Sequence, residues 1–365
     1  MTRRSNSVLT NQLPLILAAL VLGCSTNASG EELPRWGESI TERDADWYSS
    51  TQAIALADNV LGYQSNVGGW PKNWDLAIPA TPGVIEDLHR DGKANTIDNN
   101  ATTLPMEFLA LVATATGKDE YAKVFIRGLD YLLAAQYENG GWPQFFPLRD
   151  GYYSHITFND NAMMNVMFLL RDVAGGKEPY AFVDDERAVQ AASAVERGID
   201  CILRTQIRLD GKLLGWAAQY DEVTLEAAWA RSYEPPSLAG AETVPVVRFL
   251  MEIEEPTSDQ VAAIEGAVAW LQAVTIRGFR HYSGPDANGE PDSWIVADQK
   301  AAPLWARFYE LGTNRPLFLG RDGNFRYSLD QIEQERRGGY AYYGEWANSL
   351  LNRDYPRWRA RRSSE

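Results

Sequence analysis

Four polar clusters carry the residue types that could do chemistry. They are Gly68-Gly69-Trp70-Pro71-Lys72-Asn73, Thr96-Ile97-Asp98-Asn99-Asn100-Ala101-Thr102, His155-Ile156-Thr157-Phe158-Asn159-Asp160-Asn161-Ala162 and Ala230-Arg231-Ser232-Tyr233-Glu234-Pro235-Pro236-Ser237. Asp98-Asn99-Asn100 and Asn159-Asp160-Asn161 each place hard oxygen donors just before an apolar helical stretch. One such triplet alone would read as a helix cap. Two near-identical triplets, with Asp98 and Asp160 standing 62 residues apart, point instead to a shared oxygen-ligand site, with capping as the competing reading. Carboxylate and amide oxygens suit Ca²⁺ better than a transition metal. The three histidines, His89, His155 and His281, are too widely spaced to suggest a zinc centre.

The elements that must position these clusters read as helical. Leu104, Phe108, Leu111 and Ala115 recur at helical spacing, as do Tyr121, Phe125, Leu129 and Leu132, then Ala192, Val195, Ile199 and Ile202, then Ile264, Val268 and Leu271. Alternating strand-like runs are nearly absent. An internal repeat runs through the chain: helices end at Gln64, Gln136 and Gln206, at intervals of 72 and 70 residues, and each is followed by a glycine turn and Trp70, Trp142 or Trp216, at intervals of 72 and 74. A period of that size fits a helical hairpin plus an elaborated loop, and it sets the turns at one mouth of a ring or arc of helices. The fold class expected is therefore all-α, an α/α toroid of helical hairpin repeats. A simpler role for each Trp is to staple one hairpin to the next.

With 365 residues, 45% apolar, the chain can bury a large core. Arg3 and Arg4 precede an apolar stretch from Leu13 to Gly23, too short to span a membrane and suited to an export signal. Val21-Leu22-Gly23-Cys24 resembles a lipobox, so Cys24 is either a lipid anchor or lost with an ordinary signal peptide. The expected destination is periplasmic, outer-membrane lipoprotein or extracellular. The expected organisation is a signal over 1–24, a polar tether over 25–46, a catalytic domain over 47–350 and a basic tail over 351–365. Cys201 is the sole other cysteine and is expected in the core. A formal charge of −15 argues against nucleic acid as a partner. No transmembrane span is expected in the mature protein, and a monomer is expected.

The clusters, with Gly140-Gly141-Trp142-Pro143-Gln144-Phe145-Phe146-Pro147 and Gly320-Arg321-Asp322-Gly323, resemble the signature blocks of polysaccharide lyase family ten, the toroidal pectate lyases. Six blocks agree in order, over roughly residues 50 to 348. The resemblance implies a toroid-like helical fold whose cleft binds polygalacturonate, with Ca²⁺ bridging protein carboxylates and the substrate uronate. It implies Arg231 as the base, Asp98 and Asp160 as metal-contacting acids, Asn99 as a substrate contact, and Arg307 and Arg321 as cations that hold substrate carboxylates. The implied products are 4,5-unsaturated oligogalacturonates.

Such chemistry needs these parts for its own reasons. The proton alpha to a uronate carboxyl is weakly acidic, and its removal places extra charge on that carboxyl, which a bound cation stabilises. A base must reach the proton from the other side. Arginine is an awkward base because guanidinium is protonated at ordinary pH, and an ion pair with Glu234 is the competing role for Arg231. Lys72, Lys300, His155 and Asp221 stand where they could face the cleft. Two other functions compete. A terpene-cyclase-like α/α barrel enzyme would share the Gln and Gly-Trp turns, but Asp184-Asp185 has no third Asp at the right spacing. A non-catalytic sugar-binding lipoprotein would stack Trp70, Trp142, Trp216 and Trp294 on sugar rings and would need neither metal nor Arg231.

Overall fold

A computed structural model of the chain describes residues 32–363. The expected export signal, Cys24 and the start of the expected tether lie outside the described residues.

The principal helices in chain order are α1 (Thr51–Gly62), α2 (Pro82–Arg90), α3 (Thr103–Thr116), α4 (Asp119–Ala135), α5 (Ala162–Ala174), α6 (Asp185–Thr205), α7 (Thr243–Met251) and α8 (Ser258–Ala273). Their starts are written in the sequence. Ser50 accepts from the Ala53 amide and Asp184 from the Arg187 amide, while Thr257 and Gln260 close a reciprocal capping box at α8. Hairpin partners α3 and α4, α5 and α6, and α7 and α8 pack together. Across hairpins, α1, α4, α6 and α8 touch in series, and α3, α5 and α7 form a second row. Phe108, Phe125, Met163, Met167 and Trp270 belong to one continuous hydrophobic core.

Each helix end is locked to its turn by the same two bonds. Gln64 Nε2 donates to the carbonyls of Gly68 and Val124, Gln136 Nε2 to Gly140 and Ala194, and Gln206 Nε2 to Leu214 and Ala263, all within 2.7–3.0 Å. The glutamine thus ties the turn to a helix of the next hairpin. Trp70, Trp142 and Trp216 are fully buried and donate Nε1 to the carbonyls of Val60, Leu132 and Ile202 at 2.8, 2.8 and 2.7 Å. They are therefore staples, not sugar-stacking surfaces. Trp305 repeats the contact, donating to Leu271 at 2.9 Å, and marks a fourth turn that the Gln and Gly pattern does not show. Trp294 alone of the four proposed stacking residues is open, lying against Tyr282 with ring centroids 5.9 Å apart.

The all-α expectation is overturned. Among the described residues helix accounts for 46%, and five small antiparallel sheets accompany it, so the fold is not a plain all-α toroid. The longest pair is the hairpin of Phe279–Pro285 with Pro291–Ala297. Both its faces are largely exposed, so the apolar alternation that announces a half-buried strand is missing. Most other strands are two residues long, too short for any period to register. They matter nonetheless, because they sew the turns together. Thr96 bridges Phe145, Pro143 bridges Ile156, Ile156–Thr157 pairs with Gln219–Tyr220, and Leu238–Ala239 pairs with Phe308–Tyr309.

Both ends of the described chain join the core. Leu33 and Ile40, within the span read as a tether, are buried, and Trp36 meets Phe108 edge-on at 5.8 Å. A last helix over Tyr355–Arg362 buries Trp358 while keeping its arginines in solvent.

Gly140 shows why the turns need glycine. Its φ is +92°, and a Cβ there would stand 1.9 Å from the Arg197 carbonyl oxygen, which belongs to α6 and cannot yield easily. Gly140→Ala should therefore cost about 3 kcal/mol or more in urea unfolding. Gly117→Ala, at φ +67° with nothing near its Cβ, should cost only about 1 kcal/mol. Equal costs would show that the close approach at Gly140 is not what selects the residue.

Candidate active site

The two triplets form matching 3₁₀ turns over Asp98–Asn100 and Asn159–Asn161. In each, the second and third residues are left-handed: Asn99 and Asn100 at φ 50° and 58°, Asp160 and Asn161 at φ 49° and 62°. Asn and Asp tolerate that region better than other side chains, which explains the composition of the triplets. Neither α3 nor α5 receives a side-chain cap bond at its start, so the triplets are not acting as caps. Aligned turn on turn, Asp98 corresponds to Asn159 and Asp160 to Asn99. The two acids hold different places in the repeat: Asp98 is the buried first residue, and Asp160 is the open second one, with side chains 5% and 37% exposed.

Asp98, Asn99, Asp160 and Arg231 nevertheless meet. They line one polar cleft of about 130 Å³, together with Lys72, Asn73, Gln144, Tyr152, Thr157, Asn159, Gln219, Ala230 and Glu234. Lys72 Nζ sits 2.5 Å from Asp98 Oδ2. Asn99 Nδ2 donates to Asn73 Oδ1 at 2.9 Å. Asp160 Oδ2 accepts from Asn159 Nδ2 at 2.7 Å, and its Oδ1 accepts from Arg307.

Arg307 reaches the cleft through Asp160 and is not itself among the lining residues. It is buried, and its Nη2 donates to Asn159 Oδ1, Asp160 Oδ1 and Glu242 Oε1 at 3.0, 2.8 and 2.7 Å. Its guanidinium lies 4.8 Å from the Tyr340 ring centre. Burial by itself would lower its pKa, but the charges of Glu242 and Asp160 outweigh this and hold it above its ordinary value. In this geometry the side chain orders two cleft residues from beneath, where the sequence reading had it grip substrate.

Arg231 is 43% exposed and gripped by Glu234. Nε donates to Glu234 Oε2 at 2.8 Å, Nη2 pairs with Oε1, and the Arg231 amide donates to Oε2 at 3.1 Å. Tyr340 Oη donates to Glu234 Oε1 at 2.9 Å, so the carboxylate is itself held in place. Burial pulls the Arg231 pKa down, yet the Glu234 hydrogen bond and charge override it and keep the guanidinium protonated beyond its usual range. The ion pair weighed from sequence is present, and the same residue faces the cleft.

Arg321 stands apart from the lining residues. Its side chain is 61% exposed, bonds Glu335 through Nε and Nη2 at 2.9 and 2.7 Å, and passes 5.8 Å from the Tyr233 ring, which follows Arg231 by two residues. His155 and Asp221 gather with Glu222, their ligand atoms all within 4.8 Å. His155 Nδ1 is 3.0 Å from Glu222, while Asp221 Oδ1 accepts from the Val223 and Thr224 amides. Lys300 is exposed beside Asp298 and is not among the lining residues.

Sequence reasoning assigned no role to Lys72, Asn73, Gln144 or Tyr152, and named Glu234 solely as an ion-pair partner of Arg231. One signal was available. Lys72, Gln144 and Arg307 each stand two residues after a stapling Trp, so the clamp that fixes each turn also sends that side chain toward the site.

No helix among the described residues is long and apolar enough to cross a membrane. The pectic acid lyase family model matches residues 64–351. A family 10 polysaccharide lyase from Cellvibrio cellulosa superimposes with a TM-score of 0.74 at 33% identity, covering 86% of this chain and 94% of that one. A point mutant of a family 10 polysaccharide lyase from the same organism, in complex with trigalacturonic acid, gives the same TM-score and identity over 86% and 95%. The comparison with curated proteins finds no match. A match over most of the chain, joined to this likeness, places the chain in the pectic acid lyase family, and it is a polysaccharide lyase.

Proposed function

We propose that the chain cleaves α-1,4-linked polygalacturonate by β-elimination to 4,5-unsaturated oligogalacturonates, with Asp98 and Asp160 holding Ca²⁺ and Arg231 as the base. The observation that carries this reading is the convergence of Asp98, Asn99, Asp160 and Arg231, from three successive turns, on one polar cleft. The relative's complex with trigalacturonic acid supports a uronate oligomer as the ligand class. The apolar stretch from Leu13 to Gly23 supports action outside the cytoplasm.

The residues present fit a hard cation. The donors are all oxygen, and Asp98 Oδ1 is buried with no hydrogen-bond partner. Ca²⁺ held there would offset the uronate charge, stabilise the extra charge that develops when the alpha proton leaves, and by its field lower the pKa of a neighbouring guanidinium. Lys72 holds one oxygen of Asp98 and leaves Oδ1 free, while Arg307 and Asn159 fix the two oxygens of Asp160 on a side chain that stays partly open. Asn99, steadied by Asn73, offers an amide to a sugar hydroxyl or carboxylate. Arg231 takes the C5 proton, the C–H electrons form the C4=C5 bond, the C4–O bond breaks, and the departing glycosyl oxygen is protonated from solvent. Glu234 sets the cost of that step, because it favours the protonated guanidinium and pushes useful activity to alkaline pH.

Two outcomes are expected. Product absorbance on polygalacturonate should vanish in excess EDTA and return with added Ca²⁺; undiminished turnover with Ca²⁺ absent would remove the metal from the account. Arg231→Ala should lower kcat by roughly two to four orders of magnitude, the usual worth of a general base. Arg231→Lys should stay impaired, since an ammonium does not reproduce the guanidinium fork. Glu234→Gln removes the charge that raises the Arg231 pKa, so the rising limb of the kcat/KM profile, which reports ionisation of the base, should move to lower pH. A limb that stays put would mean that Arg231 is not the group whose ionisation limits the rate.

A further inference from the structure

Gly68-Gly69-Trp70-Pro71-Lys72 and Gly140-Gly141-Trp142-Pro143-Gln144 put Lys72 and Gln144 in the same place on successive turns, and Arg307 follows Trp305 at the same interval. Lys72 and Arg307 each bring a cation to a cleft carboxylate. Gln144 brings none, yet it is the more tightly set by its backbone. Its carbonyl accepts from Thr96 Oγ1 at 2.6 Å and from the Ile97 amide at 3.2 Å, and its amide donates to the Tyr153 carbonyl at 3.0 Å. It is 8% exposed and lines the cleft beside Asp98.

Gln144 Oε1 is buried without a hydrogen-bond donor, and so is Asp98 Oδ1. Buried polar atoms in a folded protein are almost always paired, so two unpaired acceptors in one small cleft call for a shared partner. Neither can satisfy the other, because both only accept. A water or a cation satisfies two acceptors together, and with one of them anionic in a cleft lined by further oxygen donors the cation is favoured. We infer that the Gln144 amide oxygen joins Asp98 Oδ1 as a ligand of the divalent cation in this cleft. The inference rests on the calcium reading above and adds a neutral donor to it. A neutral oxygen adds coordination without adding charge, which leaves the site short of negative charge until a substrate uronate completes it. The cation and the polyanionic substrate would then each need the other to bind well.

The test is direct cation binding without substrate. Tb³⁺ luminescence, sensitised by Tyr152 at the cleft and displaced by Ca²⁺, is titrated for the wild type, Gln144→Ala, Gln144→Glu and Asp98→Asn, with circular dichroism to confirm folding. Gln144→Ala should weaken Ca²⁺ affinity about tenfold or more. The near-isosteric Gln144→Glu should tighten it, because one more carboxylate adds charge at the ligand. If the wild type takes up no Ca²⁺, the calcium reading itself falls and this inference with it. If the wild type and Gln144→Ala bind within twofold of each other and Gln144→Glu binds no tighter, the inference alone falls. It falls also if Gln144→Ala leaves cation affinity unchanged and weakens only trigalacturonate binding, which would make Gln144 a sugar contact. Should Gln144→Ala fail to fold, Gln144→Glu decides by itself.

Discussion

The indole N–H bond from each repeat tryptophan to a carbonyl at the end of a preceding helix is the constraint on which the rest depends. Trp70, Trp142, Trp216 and Trp305 all make it, and each is almost wholly shielded from water. An indole N–H in that position must find an acceptor, so the contact has one geometry. The glutamine that ends the helix ties the same turn to the next hairpin, which sets successive turns at matching heights. Side chains two residues past the tryptophan then share a face, and three of the four are Lys72, Gln144 and Arg307. The chemistry sits at this mouth because the turns are the part of the repeat free to vary.

Electrostatics shapes the cleft against the bulk of the molecule. A chain of formal charge −15 repels a polyanion, and attraction has to be local. Lys72, Arg231 and Arg307 supply it, but each is bound to a carboxylate, so the resting cleft is close to balanced. Arg307 is the extreme case: its guanidinium is buried against Glu242 and Asp160, and removing it would strand a buried acid. That cluster holds Asp160 in its left-handed turn while leaving its side chain partly open.

The family and the site blocks were legible in the sequence because they are short motifs with fixed internal spacing. The Gln and Trp repeat was legible for the same reason, and it predicted turns gathered at one mouth. The strands were not legible: a two-residue pairing such as Leu238–Ala239 with Phe308–Tyr309 depends on a partner about 70 residues away and leaves no local pattern. Arg307 was found, but not its place, because a motif names a residue without saying whether it points at solvent or into a buried acid pair. The triplets misled in another way. Both contain an aspartate, which suggested equivalence, whereas the left-handed residues show that Asp98 and Asp160 occupy different positions of the turn.

The central claim is that residues from three turns of this cleft carry out an elimination, not a hydrolysis. Mass spectrometry of the fragments released from polygalacturonate in ¹⁸O-labelled water tests it most directly. The account predicts one unsaturated, unlabelled uronate end for every bond broken, and a mass lower by one water than the hydrolytic counterpart in each fragment that carries such an end. Saturated uronates at all the new non-reducing ends, with one water gained for every bond broken, would contradict it.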